Sequence, residues 1–421
     1  MPNAALVEHN SQFAKTVLPI GEGIWGAVGF AASNVYMIEG ENSLTIIDTT
    51  ESTRAAENIW AEFQAKTSKP VGRIIYTHSH RDHISGATVF AGNSAVPVIA
   101  STAFKSDLVD VDEAVVAPNK ALGRRTQAQF GIGLSPRERI SLGCGPGDRP
   151  MEGLGAGFIE PTQRIDDDCD IDLDGIDARL IMAPGETADH MVVWLPRHKV
   201  LISGDNWYHA FPNLYAIRGT PYRDFAAWAD SLDLLAGLGA QVLAPGHTMP
   251  VFGAETVQEV LKTTAAAIRH VIRATVDAMD RGLSMDDIAA SLTLPEELAK
   301  KPWLQEYYGK VGWSAKAFAT GTLGWYDGNP TNLGTLSSQE RAQHMARLAG
   351  GADNLMKEAV ATEDAQWRLE LCDHLIALGE PAEDMKAATM TELAEREINA
   401  TARNAYLWEA KRLRSSAEGK G

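Results

Sequence analysis

Short apolar runs separated by turn residues fill the first 250 residues, and this pattern predicts a strand-rich α/β region. The run VGRIIYTHSH is β-branched and ends in polar residues, so we predict a buried strand that leads into a loop. HMVVWLP and KVLISGD are predicted as further short strands, the second ending at an acidic residue. The spacing of apolar residues in AAENIWAEFQAKT and DFAAWADSLDLLAGLG predicts helices between the strands.

The pattern changes near residue 255, where helical periodicity replaces the strand-like runs. ETVQEVLKTTAAAIRHVIRATVDAMDRG predicts a long helix that ends at Gly282. Ser284 is a predicted N-cap for the next helix, since an acidic residue follows three positions on. From about residue 337 to 414 the sequence predicts antiparallel helical hairpins, and the intervening WSAKAFATGTLGWYDGNPTNLG is predicted to be an aromatic loop.

A chain of 421 residues exceeds what one hydrophobic core usually serves, so we expect an α/β domain over residues 1–260 and an all-α domain over 261–421. The net charge of −17 argues against nucleic acid as a partner. No long uninterrupted apolar window occurs, so we expect no membrane span. The N-terminal sequence lacks a basic start followed by an apolar run, which predicts no signal peptide and a cytoplasmic location.

The stretch THSHRDHISGA places three histidines and an aspartate within six residues, directly after an apolar strand. His78 and His80, two residues apart, can face one ion if the loop curls, and Asp82 and His83 can then face a second ion. Neutral imidazole and carboxylate are ligands that zinc favours. The alternative is a histidine-rich surface loop. We prefer the metal site, because exposed loops seldom carry HxHxDH at the end of an apolar strand.

Further candidate ligands follow at later strand ends. His190 lies in a predicted loop between two strands, Asp205 ends the strand VLISGD, and His247 ends the strand VLAPGH. Each alone has a simpler interpretation, because histidines between strands usually form hydrogen bonds and an Asp after a Gly usually forms a turn. Four separate sites at strand ends in one chain together predict a metal centre.

The order of these motifs resembles the metallo-β-lactamase superfamily, whose members fold as a four-layered αββα sandwich. The resemblance implies two Zn²⁺ per chain. It implies a first zinc held by His78, His80 and His190, a second held by Asp82, His83 and His247, and Asp205 as the bridge. Asp48 matches a strand-end acid that we interpret as structural support. Two adjacent zinc ions lower the pKa of a shared water to roughly 7. The fold itself hosts many hydrolases, so it says little about substrate.

Three segments narrow the resemblance to the zinc-dependent alkylsulfatases: NLYAIRG at 213–219, GWYDGNPTNL at 324–333, and NKALGRRTQAQFG. Together the resemblance covers roughly residues 15 to 410. It implies a homodimer formed through the helical domain, and it implies that Arg218 binds sulfate. A planar guanidinium can bind two sulfate oxygens in a fork. The alternative for Arg218 is a salt bridge that fixes its loop.

Some positions depart from the alkylsulfatase pattern. That family usually carries Glu where this chain has His190 and Asp205, and a polar Asn where this chain has Ile132. An aliphatic side chain cannot donate the hydrogen bond that the Asn donates. A histidine general acid, expected a few residues after Arg218 in some members, is replaced by neighbours such as Arg223. The same metals could therefore serve another ester: a phosphoester, lactone, carboxylic ester or β-lactam. A non-catalytic dimeric scaffold is a third hypothesis.

The sequence thus predicts a binuclear zinc hydrolase that cleaves an alkyl sulfate ester to an alcohol and inorganic sulfate with zinc-activated water. Asp82 and Arg218 are the predicted catalytic residues, and Arg218, Tyr215 and Trp207 are predicted to bind a small, anionic ester substrate. Core packing is an open alternative for both aromatic residues. Attack at sulfur and attack at carbon both remain open.

Overall fold

Two β-sheets pack face to face between layers of helices in the part of the chain that the computed structural model describes, residues 1–106 and 119–418. The first sheet has seven strands in chain order, antiparallel from β1 to β4 and parallel from β4 to β7. Its strands are β1 (Thr16–Gly21), β2 (Ile24–Val28), β3 (Val35–Glu39), β4 (Leu44–Ile47), β5 (Val71–Ile75), β6 (Val98–Ser101) and β7 (Gln163–Ile165).

The second sheet has six strands in the order β13-β12-β11-β10-β9-β8. Only the pair β11 and β12 is parallel within it, among the described residues. Its strands are β8 (Cys169–Asp172), β9 (Asp177–Met182), β10 (Met191–Leu195), β11 (Val200–Gly204), β12 (Val242–Pro245) and β13 (Val251–Phe252).

Strand alternation divides the apolar residues between two cores. Ile47 and Ile75 face the second sheet, whereas the adjacent Ile46 and Ile74 face the outer helices. Strands buried on both faces become continuous apolar runs, which is why the sequence shows them as uninterrupted β-branched segments. The predicted strands and their αββα layering are confirmed.

In the described residues, six α-helices accompany the two sheets. They are α1 (Ala4–His9), α2 (Thr53–Gln64), α3 (Arg81–Ile84), α4 (Ala87–Ala91), α5 (Asn119–Gln129) and α6 (Phe225–Ala236). On α2, Ala56, Ile59 and Phe63 follow helical spacing and pack on the outer face of the first sheet. Leu232 and Leu235 of α6 do the same on the second sheet.

Residues 254–418 are mainly helical. Its helices are α7 (Ala254–Asp280), α8 (Met285–Ser291), α9 (Glu296–Ala299), α10 (Val311–Leu323), α11 (Ser338–Ala349), α12 (Ala352–Ala361), α13 (Ala365–Leu378), α14 (Glu383–Arg396) and α15 (Ala400–Glu418). The predicted end of α7 at Gly282 and the predicted cap at Ser284 are confirmed. The predicted domain boundary falls inside α7, where Val260 and Leu261 pack in one core, so the division at 260 stays a prediction.

The prediction of a loop over WSAKAFATGTLGWYDGNPTNLG is wrong in its first half, because α10 occupies Val311–Leu323. The buried face of this helix is Val311, Ser314, Ala315 and Ala319. These side chains are small, so the helical period carries little apolar signal in the sequence. In the described residues, no helix is long and apolar enough to cross a membrane.

Candidate metal centre

Strand ends from both sheets bring the predicted ligands together. His78 lies just after β5, Asp205 just after β11, and His247 just after β12. His190 precedes β10, which runs antiparallel to β11, so it lies at the same edge of the sheet. The first turn after β5 leads into α3, which carries His83. Loops at the carboxyl ends of strands are a common place for active sites in α/β folds.

Two groups of three side chains converge at this edge, each with ligand atoms within 4.8 Å of one another. The groups are His78, His80 and Asp205, and then Asp82, His83 and His247. His78 Nε2 lies 3.0 Å from His80 Nδ1 and 3.5 Å from Asp205 Oδ2. In the second group, Asp82 Oδ2 lies 3.6 Å from His83 Nε2 and 3.4 Å from His247 Nε2.

Asp205 lies between the two groups. Its Oδ1 is 3.3 Å from His83 Nε2, and its Oδ2 is 3.2 Å from His247 Nε2 and 3.5 Å from His78 Nε2. The carboxylate therefore faces histidines of both groups, as the predicted bridging position requires.

Hydrogen bonds on the outer side of the histidines fix their ring orientation. Asp48 Oδ2 lies 2.7 Å from His83 Nδ1 and accepts from the Thr77 hydroxyl, which in turn lies 3.0 Å from His78 Nδ1. His247 Nδ1 lies 2.7 Å from the carbonyl of Ala32. In each case the outer nitrogen donates to an oxygen, so Nε2 is the nitrogen that faces the centre.

Asp48 adopts φ +58, a conformation that non-glycine residues rarely occupy. Its second oxygen accepts from the backbone N–H of Thr77, 2.8 Å away, which holds that strained conformation in place. The support role predicted for this acid agrees with these contacts.

The donor set suits a zinc pair. His83 Nε2 and Asp205 Oδ1 are buried and have no hydrogen-bond partner among the described residues. His78 Nε2 and His80 Nδ1 face each other at 3.0 Å, an arrangement that a shared cation stabilises. Imidazole nitrogens and carboxylate oxygens are also the ligand types that zinc prefers.

Electrostatics at the centre separate the histidines into two kinds. Burial lowers the pKa of His83 and His247, but Asp205 and the neighbouring carboxylates outweigh it, so the pKa of His83 stands well above its ordinary value and that of His247 rises to about 9. Burial lowers the pKa of His80 and His190 well below the ordinary value. The first pair therefore holds protons that a bound metal must displace.

His190 lies beside these groups but outside both of them. Its ring stacks on His78 with centroids 4.9 Å apart, and its Nε2 accepts a hydrogen bond of 3.0 Å from the backbone N–H of Asp205. Its Nδ1 is buried without a hydrogen-bond partner among the described residues. Its role as a ligand stays a prediction.

The predicted substrate residues lie at different depths. Arg218 Nη2 is 3.5 Å from His80 Nε2, and its guanidinium forms no ion pair with a described carboxylate. Tyr215 is partly exposed on the same loop. Trp207 is 2% exposed and belongs to the core behind the second sheet, which favours packing for that residue.

A buried ion pair that was not predicted from the sequence lies beside the first group. Glu186 Oε1 lies 2.9 Å from Arg223 Nη1 and 3.9 Å from His80 Nδ1, while the Tyr208 hydroxyl donates to Glu186 Oε2 at 3.1 Å. Arg223 Nη1 also donates to the carbonyl of Asn213. The pair ties the NLYAIRG loop to the metal centre. One feature of the sequence could have predicted this ion pair: Glu186 lies in the same loop between two strands as His190.

Two family descriptions match the chain. "Metallo-beta-lactamase superfamily" matches residues 28–247, more than half of the chain, and contains every predicted ligand. "Alkyl sulfatase dimerisation" matches residues 284–416, the helical part. The fold and the match together define a metallo-β-lactamase-type domain followed by a dimerisation region.

Similarity to known proteins places the chain in a smaller group within this superfamily. The linear primary-alkylsulfatase of Pseudomonas sp. (strain ATCC 19151) is 34% identical over 91% of this chain and 74% of its own length. The alkyl/aryl-sulfatase BDS1 of Saccharomyces cerevisiae is 32% identical over 94% of this chain, which spans 63% of that protein. The stereoselective inverting sec-alkylsulfatase Pisa1 from Pseudomonas sp. superposes with a TM-score of 0.88 at 28% identity, covering 98% of this chain and 68% of that one. This chain therefore belongs to the metallo-beta-lactamase superfamily and, within it, to the alkylsulfatases.

Proposed function

We propose that this chain is a binuclear zinc hydrolase that cleaves an alkyl sulfate ester to an alcohol and inorganic sulfate. The observation that carries the proposal is the position of Arg218, whose guanidinium adjoins the imidazole of His80. The alkylsulfatase relatives support the choice of substrate class. The chain spans only part of their length, from 60% to 74% for the alkylsulfatase relatives at 30% identity or more, and the activity of the whole protein is part of the proposal.

The open side of the centre indicates where a substrate approaches. Asp82 and His80 are the most exposed ligands, with side chains 30% and 20% exposed, whereas His78, His83, Asp205 and His247 are nearly fully buried. Arg218 stands at this open side, next to His80. An ester that enters there meets the guanidinium before it reaches the buried ligands.

Zinc held by these residues would supply the Lewis acidity that makes water nucleophilic near neutral pH. With Nδ1 of His80 turned to the centre, Nε2 of that ring carries the imidazole proton. Nε2 and Arg218 Nη2 are then two donors 3.5 Å apart, and an anionic sulfate oxygen can accept from both. Glu186 and Arg223 hold the loop that carries Arg218, so they keep this pair of donors in place.

The test is a substrate comparison on the zinc-loaded protein. A medium-chain alkyl sulfate, an aryl phosphodiester and a lactone are incubated in parallel, and release of sulfate, phenol and hydroxy acid is followed. We expect sulfate release, with His80→Ala losing both activity and zinc and His198→Ala, at the far end of β10 and β11, behaving as wild type. Turnover of the phosphodiester or lactone without any sulfate release would refute the proposal.

Labelled water separates the two modes of attack. In H₂¹⁸O, attack at sulfur places the label in inorganic sulfate, whereas attack at carbon places it in the alcohol. Pisa1 is an inverting sec-alkylsulfatase, and inversion of a secondary substrate accompanies attack at carbon. Either label position is compatible with Arg218 as the residue that binds the sulfate group.

We also propose a homodimer formed through the helical region. Apolar side chains are exposed between α10 and the start of α11: Leu323, Trp325, Leu333 and Leu336 are 62%, 71%, 63% and 48% exposed, and we call them the apolar strip. The strip lies inside residues 284–416, which match the dimerisation family. Large exposed apolar patches mark interaction sites, so a second copy of this chain is the proposed occupant.

A further inference from the structure

Gln129 is the last residue of α5 and contacts the loop that carries Arg218. Its side chain is 1% exposed, and its Oε1 accepts a hydrogen bond of 2.8 Å from the backbone N–H of Arg218. Because an N–H must donate, this bond fixes which end of the amide is the oxygen. The Nε2 end is then buried, and it has no hydrogen-bond partner in the described part of the chain.

One face of α5 forms a wall beside Arg218. Leu122, Arg125 and Gln129 are spaced by three and four residues, so they share a helix face. A Cβ atom added at Gly219 would lie 3.1 Å from Leu122 Cδ2 and 3.6 Å from Arg125 Nη1. The face therefore packs directly against Arg218 and Gly219, and Gln129 shares their surroundings.

The helical region holds this wall in position. α15 packs against α5, and Asn404 of α15 donates to the carbonyl of Ser141 at 3.0 Å and lies 3.5 Å from the carbonyl of Gln129. Arg403 donates to the carbonyl of Glu138 at 2.8 Å. Both ends of the segment after α5 are thus anchored, and Gln129 has a fixed position next to Arg218.

A buried amide donor without a partner destabilises the fold, so a ligand that accepts its hydrogen bond would be bound more tightly. Ile132, three residues further on, cannot donate a hydrogen bond. We propose that Gln129 is a specificity-determining residue of the anion subsite, fixing the Arg218 backbone through Oε1 and donating from Nε2 to an oxygen of the bound sulfate group. The inference rests on the proposed function, because it takes Arg218 as the sulfate-binding residue.

Two substitutions separate the two halves of this role. Gln129→Met keeps the length of the side chain and removes both the acceptor and the donor. Gln129→Glu keeps an acceptor for the Arg218 N–H and removes the donor. Gln127→Met and Gln127→Glu are matched controls, because Gln127 is exposed on the same helix two residues earlier. Binding of inorganic sulfate to each zinc-loaded protein is measured by calorimetry, together with kcat and KM for an alkyl sulfate, zinc content and Tm.

We expect both Gln129 variants to weaken sulfate binding by roughly tenfold to a hundredfold, the range of a lost hydrogen bond to a charged group. The KM of the Gln129 variants for alkyl sulfate should rise as their sulfate affinity falls, while their kcat and zinc content stay near wild type. The Gln127 variants should resemble the wild type in all of these measurements. Wild-type sulfate affinity in Gln129→Glu would overturn the donor role. A parallel loss of zinc would overturn it as well, because it would reveal a residue that supports the metal centre and not the sulfate group.

The same measurements keep this inference distinct from the proposed function. If the wild type binds sulfate but hydrolyses no alkyl sulfate, the proposed function fails, and the sulfate affinities of the variants still decide the role of Gln129. If the wild type hydrolyses alkyl sulfates and the Gln129 variants match it, the inference fails and the function stands. Absence of measurable sulfate binding by the wild type would also overturn the inference.

Discussion

Arg218 places a positive charge beside His80, at the open side of the metal centre. We expect Arg218→Ala to keep zinc and to lower kcat/KM for an anionic substrate. The corresponding loss of transition-state stabilisation should be a few kcal/mol, the scale of a lost charge-assisted pair. Arg218→Lys keeps the charge but not the planar fork, so it should recover only part of the loss. Steady-state kinetics with an alkyl sulfate, alongside metal analysis, measures both effects.

Arg197 provides the control, since it is an exposed arginine in the turn after β10, far from the metal centre. Arg197→Ala should leave kcat/KM unchanged. An Arg218→Ala protein with wild-type kcat/KM for an anionic ester would remove this residue from the substrate site.

His247 makes metal binding dependent on pH. Its pKa rises from 6.5 to about 9, so the charged pair with Asp205 stabilises the metal-free fold fully below pH 6.5, and this stabilisation is lost as pH rises through about 9. Zinc needs the neutral ring, so its affinity should increase over the same interval. The measurements are the Tm of chelator-treated protein and competitive zinc titrations between pH 6 and pH 9.5.

The variant His247→Gln removes this titration, so its metal-free Tm should depend less steeply on pH than that of the wild type. A metal-free wild type that gains stability relative to His247→Gln between pH 6.5 and pH 9 would contradict the prediction. The direction of this pH dependence matters. It distinguishes a His247 that is protonated because of Asp205 from an ordinary buried histidine that is neutral.

At the residue scale, the sequence predicts the ligands because each one follows or precedes an apolar strand. The HxHxDH motif and the later His190, Asp205 and His247 are local signals of this kind. Gln129 and Arg223 carry no such signal. Their partners, Arg218 and Glu186, are 89 and 37 residues away, and only the packing of α5 and of the loop after β9 brings them together.

At the element scale, close helix packing depends on residues without side-chain bulk. Gly312 lies near the start of α10, and a Cβ there would lie 2.3 Å from the carbonyl oxygen of Ala289 in α8. We expect Gly312→Ala to lower the free energy of unfolding by roughly 1–3 kcal/mol, because backbone of two helices must separate. Thermal unfolding of the zinc-loaded protein measures the change.

Gly123→Ala is the matched substitution in α5, where a Cβ would meet no heavy atom within 4 Å. It should be neutral or stabilising by up to about 1 kcal/mol, since Ala favours a helix over Gly. Equal effects of the two substitutions would contradict the role of close α8–α10 contact.

The same packing explains where sequence-based prediction of elements fails. The long helix α7 is recognisable because large apolar residues such as Val257, Leu261 and Ile268 recur at helical spacing. The buried face of α10 uses Ser314, Ala315 and Ala319 instead, and its Trp and Gly residues are typical of loops. Small residues allow the helices to pack closely, but they do not produce a helical repeat of large apolar residues in the sequence.

At the scale of the whole molecule, the helical region contributes to the catalytic half and leaves apolar surface exposed. α15 anchors the segment after α5, while Gly321 of α10 lies under the ring of Tyr222, four residues after Arg218. Assembly through the apolar strip would therefore act on a region that is continuous with the substrate loop.

We expect Trp325→Glu combined with Leu333→Glu to produce a monomer, because burial of the strip in the proposed interface would then desolvate two charges. Light scattering coupled to size-exclusion chromatography measures the mass. Phe252→Glu is the control, since Phe252 is 52% exposed on β13 of the second sheet, outside the helical region, and that variant should remain dimeric. A strip variant that stays dimeric would place the interface elsewhere. A wild type that is monomeric at all concentrations would contradict the homodimer itself, and the exposed side chains would then need another occupant.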